Sequence, residues 1–263
     1  MSILAREYQF SFHSYFIYAK SWQSAEANSE LAPIILMHDS LGSVALWRDF
    51  PAYLAAQTKR IVYAYDRIGF GQSSVNDQSL ALDFVMTEAT HGFKAVLDYF
   101  DLKHFIVLGH SVGGGMSAAI AAEYPQCCKA LVTIAAQYEV EERTLAGIRA
   151  AKQTFQQAGQ IERLAKYHPD KAQWVLDAWT ETWLAPAFKD WNLREVLPQV
   201  ECPSLVIHGE QDEYGTLAQP QQIFAGVKGA AELQILSGLY HMPHKEQPEQ
   251  VLTLISEFLA GIA

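Results

Sequence analysis

The stretch VLGHSVGGGM, residues 107–116, places a serine between two glycines at a point where the chain changes direction. The apolar run FIVLG, residues 105–109, predicts a buried strand before Ser111, and the Ala-rich segment after it predicts a helix. Gly109 and Gly113 lack side chains, so the strand and the helix can come close together on either side of the serine. The spacing G-x-S-x-G therefore predicts a nucleophile elbow, a sharp turn that exposes the Ser111 hydroxyl at one end of a sheet.

Two structural roles compete with catalysis at this turn. The serine could simply cap the following helix, because a serine side chain often accepts a hydrogen bond from the first helical turn. A phosphate-binding loop would need a lysine after the glycines, and the chain has Gly115 and Met116 there. Capping thus stays open as an alternative, whereas phosphate binding does not.

The composition is that of a globular protein with a sizeable core. Of 263 residues, 50% are hydrophobic, 12% aromatic and 18% charged, and the formal net charge is −10. An acidic surface argues against nucleic acid and anionic membranes as partners. We see no signal peptide, no apolar run of roughly 18 residues, and three cysteines without metal-ligand spacing. We therefore predict a cytoplasmic protein that holds no metal, with its oligomeric state unknown. The net charge says little about small molecules, and a small-molecule substrate is expected from the motifs below.

Short apolar runs alternate with helical patterns along most of the chain. The runs are continuous, which is typical of strands covered on both faces of a parallel sheet. Residues 7–12 and 15–22 read better as an antiparallel pair at the sheet edge. The pattern predicts an α/β fold with a doubly wound, mostly parallel sheet. The predicted strands are 34–38, 61–66, 105–109, 130–135, 205–209 and 233–236, with helices at 80–100, 114–124 and 248–259.

One region breaks this alternation. Residues 137–200 read as helical, and we predict that they form an α-helical cap inserted into a core of residues 1–136 and 201–263. The region holds four tryptophans, at positions 174, 179, 183 and 191. Trp179 and Trp183 are candidates for the wall of a substrate pocket, but their helical spacing suits the interior of the cap equally well.

A serine hydroxyl becomes a nucleophile when a base takes its proton and a third group orients that base. After an elbow of this kind the acid comes first and the histidine second, each in a loop that follows a strand. The loop after LVIHG contains Asp212, and the loop after LQIL contains His241. The chain order Ser111, Asp212, His241 is the order required.

Other residues compete for these roles. Glu210 and Glu213 flank the aspartate, and His244, which could also be a solvated loop residue, follows His241 by three positions. His208 lies in a predicted strand, where we expect a satisfied core histidine. His110 precedes the serine, and its side chain should point away from the hydroxyl.

Two backbone N–H groups are candidates for an oxyanion hole. The N–H of Val112 lies at the start of the predicted helix, where N–H groups point at anions. The second should come from the loop HDSLGS, residues 38–43, and we expect the N–H of Ser40 to supply it.

Together these motifs resemble the α/β-hydrolase superfamily, in its cytosolic serine-hydrolase branch with a helical cap. YDRIGFGQSS, residues 65–74, is similar to the family's loop before the helix that leads to the elbow, and GEQD, residues 209–212, is similar to its acid loop. HMPHKEQPE, residues 241–249, is similar to the pattern H-x-P-x-x-E-x-P-E, which selects His241 over His244. The resemblance spans nearly the whole chain.

The resemblance implies the α/β-hydrolase fold and a cofactor-free hydrolase that works through an acyl-enzyme. Ser111 would attack a carbonyl carbon, His241 would transfer the proton, and Asp212 would orient the imidazole. Haloalkane and epoxide cleavage are disfavoured, because family members with those activities carry aspartate at the position of Ser111.

One position departs from the family pattern. The oxyanion loop usually begins His-Gly, and here it begins His38-Asp39. An aspartate brings a carboxylate close to a site that has to hold negative charge. Asp39 either points away and braces the loop, or lies near the pocket and disfavours anionic substrates. Asp39, Leu41 and His110 therefore join the two tryptophans as candidate pocket residues.

Three functions remain open. We expect hydrolysis of a small, hydrophobic or aromatic carboxylic ester, because a tryptophan-rich cap over a serine would form an apolar pocket. The alternatives are a carbon–carbon bond hydrolase that cleaves diketones in aromatic-compound breakdown and a ligand-sensing protein that keeps a hydrolase pocket.

Overall fold

The computed structural model describes residues 2–262, and at its centre lies one eight-stranded sheet. The spatial order is β1-β2-β4-β3-β5-β6-β7-β8. The first two strands pair antiparallel, β2 pairs antiparallel with β4, and all pairs from β4 to β8 are parallel. The strands are β1 (Ile3–Phe12), β2 (Tyr15–Ser24), β3 (Ile34–Met37), β4 (Val62–Tyr65), β5 (Phe105–His110), β6 (Cys128–Ile134), β7 (Ser204–Gly209) and β8 (Ala231–Leu236). The prediction of a doubly wound, mostly parallel sheet is confirmed.

Helices pack against both faces of the sheet, which explains the continuous apolar runs. Every residue of β3, β5 and β7 is buried, whereas the edge strand β1 is mostly exposed. The helices are α1 (Phe50–Thr58), α2 (Phe84–Thr90), α3 (Gly92–Phe100), α4 (Val112–Glu123), α5 (Glu142–Phe155), α6 (Gln160–Ala165), α7 (Ala172–Leu184), α8 (Ala218–Gly226), α9 (Pro243–Glu246) and α10 (Pro248–Leu259).

The prediction of a single helix over residues 80–100 is wrong. The first helical residue is Phe84, and α2 and α3 are separate helices that meet at His91, whose φ of −114° and ψ of −96° are not helical. Gly92 follows, and a Cβ there would lie 2.3 Å from a carboxylate oxygen of Glu88. Glycine is a weak helix former and also leaves room for this side chain, so the chain breaks at this point.

Between β6 and β7 the described chain contains helices and 3₁₀ turns but no strand of the sheet. The two ends of this segment lie side by side, because Glu139 and Asn192 form an isolated antiparallel bridge. The side-chain amide of Gln219 also binds the backbone of Glu139. Its oxygen accepts the Glu139 N–H at 3.1 Å, and its nitrogen donates to the Glu139 carbonyl at 3.1 Å. The helices α5 to α7 thus belong to one insertion between β6 and β7. The division into a core and a cap at residues 137–200 remains a prediction.

None of the helices between residues 2 and 262 has both the length and the apolar character needed to cross a bilayer.

The turn after β5 is possible only because two glycines bring backbones into contact. A Cβ at Gly109 would lie 2.0 Å from the carbonyl oxygen of Gly113. A Cβ at Gly113 would lie 2.2 Å from the carbonyl oxygen of Met37, at the end of β3. Both obstacles are backbone atoms that cannot rotate away. β3, β5 and α4 can therefore come this close only if neither position 109 nor position 113 carries a side chain.

Two glycines of the same helix should therefore respond in opposite ways to one substitution. Gly113→Ala should lower the free energy of unfolding by about 3 kcal/mol or abolish folding, because the methyl group overlaps the backbone. Gly115→Ala should raise it by up to about 1 kcal/mol, because alanine favours a helix. The nearest atom to a Cβ at Gly115 is 3.5 Å away, on Trp191. Urea unfolding followed by circular dichroism measures both, and equal effects would refute this account of the turn.

Candidate active site

The elbow holds Ser111 in an unusual backbone conformation. Its φ of 57° and ψ of −127° lie in the half of the map that residues with side chains rarely occupy. Two backbone hydrogen bonds keep it there: its N–H donates to Ile134 at 2.9 Å, and its carbonyl accepts from Gly114 at 2.8 Å. The Ser111 side chain makes no capping hydrogen bond to α4, so helix capping does not explain why a serine occupies this position.

The Ser111 hydroxyl, the His241 imidazole and the Asp212 carboxylate form one hydrogen-bonded chain. His241 Nε2 lies 3.0 Å from Ser111 Oγ, and His241 Nδ1 lies 2.9 Å from each carboxylate oxygen of Asp212. All three side chains are buried. A carboxylate accepts the Nδ1 hydrogen, which leaves the lone pair of Nε2 facing the hydroxyl. This tautomer is the one that can take a proton from the serine.

The environment keeps Asp212 ionised. Burial raises the pKa of this carboxyl, but the hydrogen bond to His241 and the charge of that ring outweigh burial, so the pKa lies below its usual value. The backbone N–H groups of Tyr214 and Gly215 also donate to Asp212 Oδ1, at 2.7 and 3.2 Å. The ionised carboxylate can therefore hold the imidazole in one orientation.

The competing acids have other partners. Glu210 accepts the Ser237 hydroxyl at 2.8 Å and the Gly238 N–H at 3.1 Å on the surface. Glu213 accepts the backbone N–H of His241 at 3.2 Å, so it braces the loop of the histidine and does not contact its ring.

Two histidines differ from what the sequence suggested. His244 is buried, not solvated, and its ring packs between Trp47 and His110, with centroids at 5.2 and 4.6 Å. The expectation that His208 is a satisfied core histidine is wrong. Neither of its ring nitrogens has a hydrogen-bond partner, and Nε2 lies 3.4 Å from Asp212 Oδ2 without the alignment of a hydrogen bond. Strand position predicted the burial of His208 but could not predict its hydrogen bonding.

Two backbone N–H groups near Ser111 are unused. Within residues 2–262, neither the N–H of Ser40 nor that of Val112 donates to a protein acceptor. In the loop after β3 the neighbouring donors are occupied: Leu41 donates to Asp39 Oδ1 at 2.9 Å, and Gly42 donates to the Asp39 carbonyl at 3.1 Å. Ser40 and Val112 thus leave two donors for an oxyanion.

A cavity opens in front of the serine, with about 510 Å³ of empty space counted to its open mouth. The predicted pocket residues all line it: Asp39, Leu41, His110, Trp179 and Trp183. Further lining residues that the sequence did not single out are Gln137, Thr144, Ile148, Tyr214 and Met242. Thr144 and Ile148 are four residues apart on α5, and this spacing is the one sequence signal that could have found them. Among the described residues 2–262, no lysine or arginine lines the cavity.

Asp39 both braces its own loop and lies at the cavity wall. Its Oδ1 braces the loop through Leu41, and its Oδ2 lies 3.2 Å from Nδ1 of His110 at the cavity wall. Its side chain is 20% exposed. Burial raises the pKa of this carboxyl, but the hydrogen bond and charge of His110 have the larger effect and hold it far below its usual range.

The four tryptophans have different surroundings. Trp183 is 2% exposed and packs edge-on against Phe188 and Trp191, at 5.2 and 5.6 Å between centroids. Trp179 is half-buried and faces Tyr214 across the cavity at 6.0 Å. Trp174 lies outside the cavity, where its indole N–H donates to the carbonyl of Gln78 at 3.0 Å.

No group of three or more His, Cys, Asp or Glu side chains between residues 2 and 262 is arranged to hold a metal ion.

The architecture and this site define a member of the α/β-hydrolase class. The family model described as alpha/beta hydrolase fold matches residues 32–175, more than half of the chain, and the chain belongs to this family.

Individual relatives agree with the family. Serine hydrolase BPHL of Mus musculus is 28% identical over 236 residues, which cover 86% of this chain and 78% of that protein. The crystal structure of VinJ superimposes with a TM-score of 0.79 at 18% identity, covering 98% of this chain and 99% of that one. Proline iminopeptidase of Mycobacterium smegmatis gives a TM-score of 0.73 at 21% identity, covering 97% of both chains. The structures share the fold, and the hydrolase names of relatives support the prediction of an enzyme in this class.

The burial of Trp179 and Trp183 predicts that these residues of α7 contribute differently to stability. Trp183→Ala should lower the free energy of unfolding by about 3 to 5 kcal/mol, because it empties a packed aromatic cluster. Trp179→Ala should cost about 1 to 2 kcal/mol, because half of that ring already faces open space. Parallel urea titrations test the pair, and a larger loss for Trp179→Ala would contradict the assignment.

Proposed function

We propose that this protein is a cofactor-free serine hydrolase that cleaves a small, uncharged carboxylic ester with an apolar or aromatic part. The observation that carries the proposal is the hydrogen-bonded chain from Asp212 through His241 to the Ser111 hydroxyl, at the floor of a largely apolar cavity. The acidic net charge supports a small-molecule substrate rather than nucleic acid or membrane. We expect the activity to reside in the cytoplasm.

Catalysis would begin with proton transfer from the serine. As Ser111 Oγ attacks the ester carbonyl, His241 Nε2 takes the hydroxyl proton, and Asp212 stabilises the imidazolium that forms. The carbonyl oxygen becomes an oxyanion, which the N–H groups of Ser40 and Val112 would stabilise. In known enzymes each such donor lowers the barrier by roughly 3 to 4 kcal/mol.

Release of the products would use the same base twice. His241 gives its proton to the leaving alcohol, which departs and leaves the acyl group on Ser111. A water molecule then attacks the acyl-enzyme while His241 takes its proton, and collapse of the second tetrahedral intermediate frees the acid and restores the serine.

The lining of the cavity supports an apolar, uncharged substrate. Trp179, Ile148 and Leu41 contribute apolar surface. Thr144 offers little polarity because its hydroxyl already donates to the Tyr214 carbonyl at 2.6 Å. An anionic substrate would lose its hydration in this cavity without finding a lysine or arginine there, which is costly.

The first test asks whether Ser111 is an activated nucleophile. A fluorophosphonate should add once per chain, on Ser111, and Ser111→Ala should abolish labelling without changing the melting temperature. Intact mass and peptide mapping read out the adduct. A folded protein that takes up no label would contradict the proposal and would favour the ligand-sensing alternative.

The choice of base has a matched control three residues away. His241→Ala should reduce ester turnover by at least about 1000-fold, because serine loses its proton acceptor. His244→Ala should retain far more activity, because its ring does not contact Ser111. Both variants are assayed with the same aryl ester, and the reverse ranking would refute the assignment of the base.

Substrate charge is tested with two esters of the same length. The kcat/KM for p-nitrophenyl butyrate should exceed that for p-nitrophenyl hemisuccinate by at least about 10-fold, the cost of an unpaired carboxylate in an apolar cavity. Similar values would contradict the proposed substrate class. A diketone acid that is hydrolysed faster than either ester would favour carbon–carbon bond cleavage instead.

A further inference from the structure

The His110 side chain connects three segments of the active site. It is the last residue of β5 and precedes Ser111 on the elbow. Its Nδ1 lies 3.2 Å from Asp39 Oδ2, in the loop that carries the Ser40 N–H. Its Nε2 lies 2.8 Å from the carbonyl oxygen of His241, in the loop that carries the base. The ring is 1% exposed, so these two contacts account for its polar atoms.

The two partners of His110 determine which of its ring nitrogens must carry a hydrogen. A backbone carbonyl can only accept, so Nε2 must carry a hydrogen. An ionised carboxylate also only accepts, so the contact between Nδ1 and Asp39 is a hydrogen bond only when a second proton lies between them. Asp39 and His110 together then hold one proton more than a bare carboxylate beside a neutral imidazole.

Two neighbouring histidines show the contrast. His168 accepts the N–H of Gly71 on Nδ1 at 2.8 Å and meets the Leu41 carbonyl with Nε2 at 2.9 Å, so a neutral ring satisfies both contacts. His38 accepts the N–H of Arg67 on Nε2 and donates from Nδ1 to the Asp39 carbonyl, again as a neutral ring. Within the described chain, His110 is the histidine of this loop region whose two partners are both acceptors.

We propose that Asp39 and His110 are positioning residues, an acid–histidine pair at the cavity wall that ties the loop of the oxyanion donor Ser40 to the loop of the base His241. The proton held between them cancels the charge of Asp39 beside the site where negative charge develops in the reaction. This inference rests on the proposed function and adds a reason for the unusual aspartate in the oxyanion loop.

Two opposing effects act on the His110 ring. Burial has the larger effect and lowers its pKa, whereas the hydrogen bond and charge of Asp39 act to raise it. The Asp39 carboxyl itself is held far below its usual pKa, with His110 as the largest cause in that direction. Each residue thus stabilises the charged form of the other. Loss of His110 alone would leave a carboxylate next to the oxyanion with no hydrogen on its Oδ2.

The pair predicts an unusual result in a double-mutant cycle. His110→Ala should lower kcat for a neutral aryl ester by about 100-fold, because Asp39 then carries an uncompensated charge beside the oxyanion site. Asp39→Asn should lower it by about 5-fold, since the amide can still accept from Leu41 and donate to Nδ1 of a neutral His110. In the double variant the amide replaces the unpaired carboxylate. Its kcat should therefore exceed that of His110→Ala by at least about 5-fold, whereas two independent lesions would multiply to about 500-fold.

The controls separate positioning from general damage. Both residues line the cavity, but the pair positions the reacting groups, so in every variant KM should change several-fold less than kcat. His244→Ala, at an equally buried histidine that makes no hydrogen bond to Asp39, should gain nothing from the added Asp39→Asn. If His110→Ala does not fold, His110→Gln, which can donate to only one of the two acceptors, takes its place in the cycle.

Each outcome bears on a definite claim. Multiplicative losses, or equal rescue in the His244→Ala background, would overturn the pairing of Asp39 with His110. Melting temperatures that fall in step with kcat would assign the pair to stability alone. Fluorophosphonate labelling of the unaltered protein is measured alongside. If Ser111 takes no label there, the proposed function fails, and if it labels normally, a failed cycle counts against the pair only.

Discussion

The close contact of three backbones around Ser111 is the constraint on which the active site depends. The carbonyl oxygens of Met37 and Gly113 occupy the space where side chains of the two elbow glycines would stand. The chain can pass from β5 into α4 at this point only with a left-handed residue at the corner, and that residue is Ser111. The same contact sets the Val112 N–H at the start of a helix, directly after Ser111. The proposed nucleophile and the proposed oxyanion donor are therefore positioned by one packing arrangement.

The remaining groups reach the serine because of strand order. β3, β5, β7 and β8 are parallel and end at the same edge of the sheet, so the loops after them converge although they are far apart in sequence. His241 and Ser111 are 130 positions apart and lie 3.0 Å from each other. The buried location then makes each polar contact matter, because an unpaired group there cannot be compensated by water.

The sequence predicted the parts of the molecule that local patterns specify. The apolar runs gave the parallel strands to within a few residues, because a buried strand needs a continuous apolar stretch. The elbow, the acid loop and the histidine loop each lie directly after a strand, so topology alone brings Ser111, Asp212 and His241 to one edge. The break at His91 was missed, because the apolar pattern continues across it and a single glycine, Gly92, does not by itself indicate the end of a helix.

Contacts between distant side chains could not be predicted. The sequence marked Asp39 as a departure from the family, but nothing in it indicated the partner, since His110 is 71 positions away and the pairing depends on loop conformation. His168 contacts the Leu41 carbonyl although the two residues are 127 positions apart, and no sequence pattern indicated this contact. The lack of hydrogen-bond partners for the His208 ring nitrogens within residues 2–262 likewise depends on tertiary contacts that no local residue pattern specifies.

The bridge between Glu139 and Asn192 has a consequence for how this protein could diversify. Because the insertion between β6 and β7 leaves and returns at one point, a change in its length alters a closed loop whose ends stay where they are, and loop closure costs little more as a loop grows. Trp179 and Ile148, which shape the cavity wall, lie within that loop, whereas Ser111, Asp212 and His241 lie outside it. We therefore expect that this segment can be lengthened or exchanged, and the cavity wall reshaped, without displacing the three residues of the proposed triad.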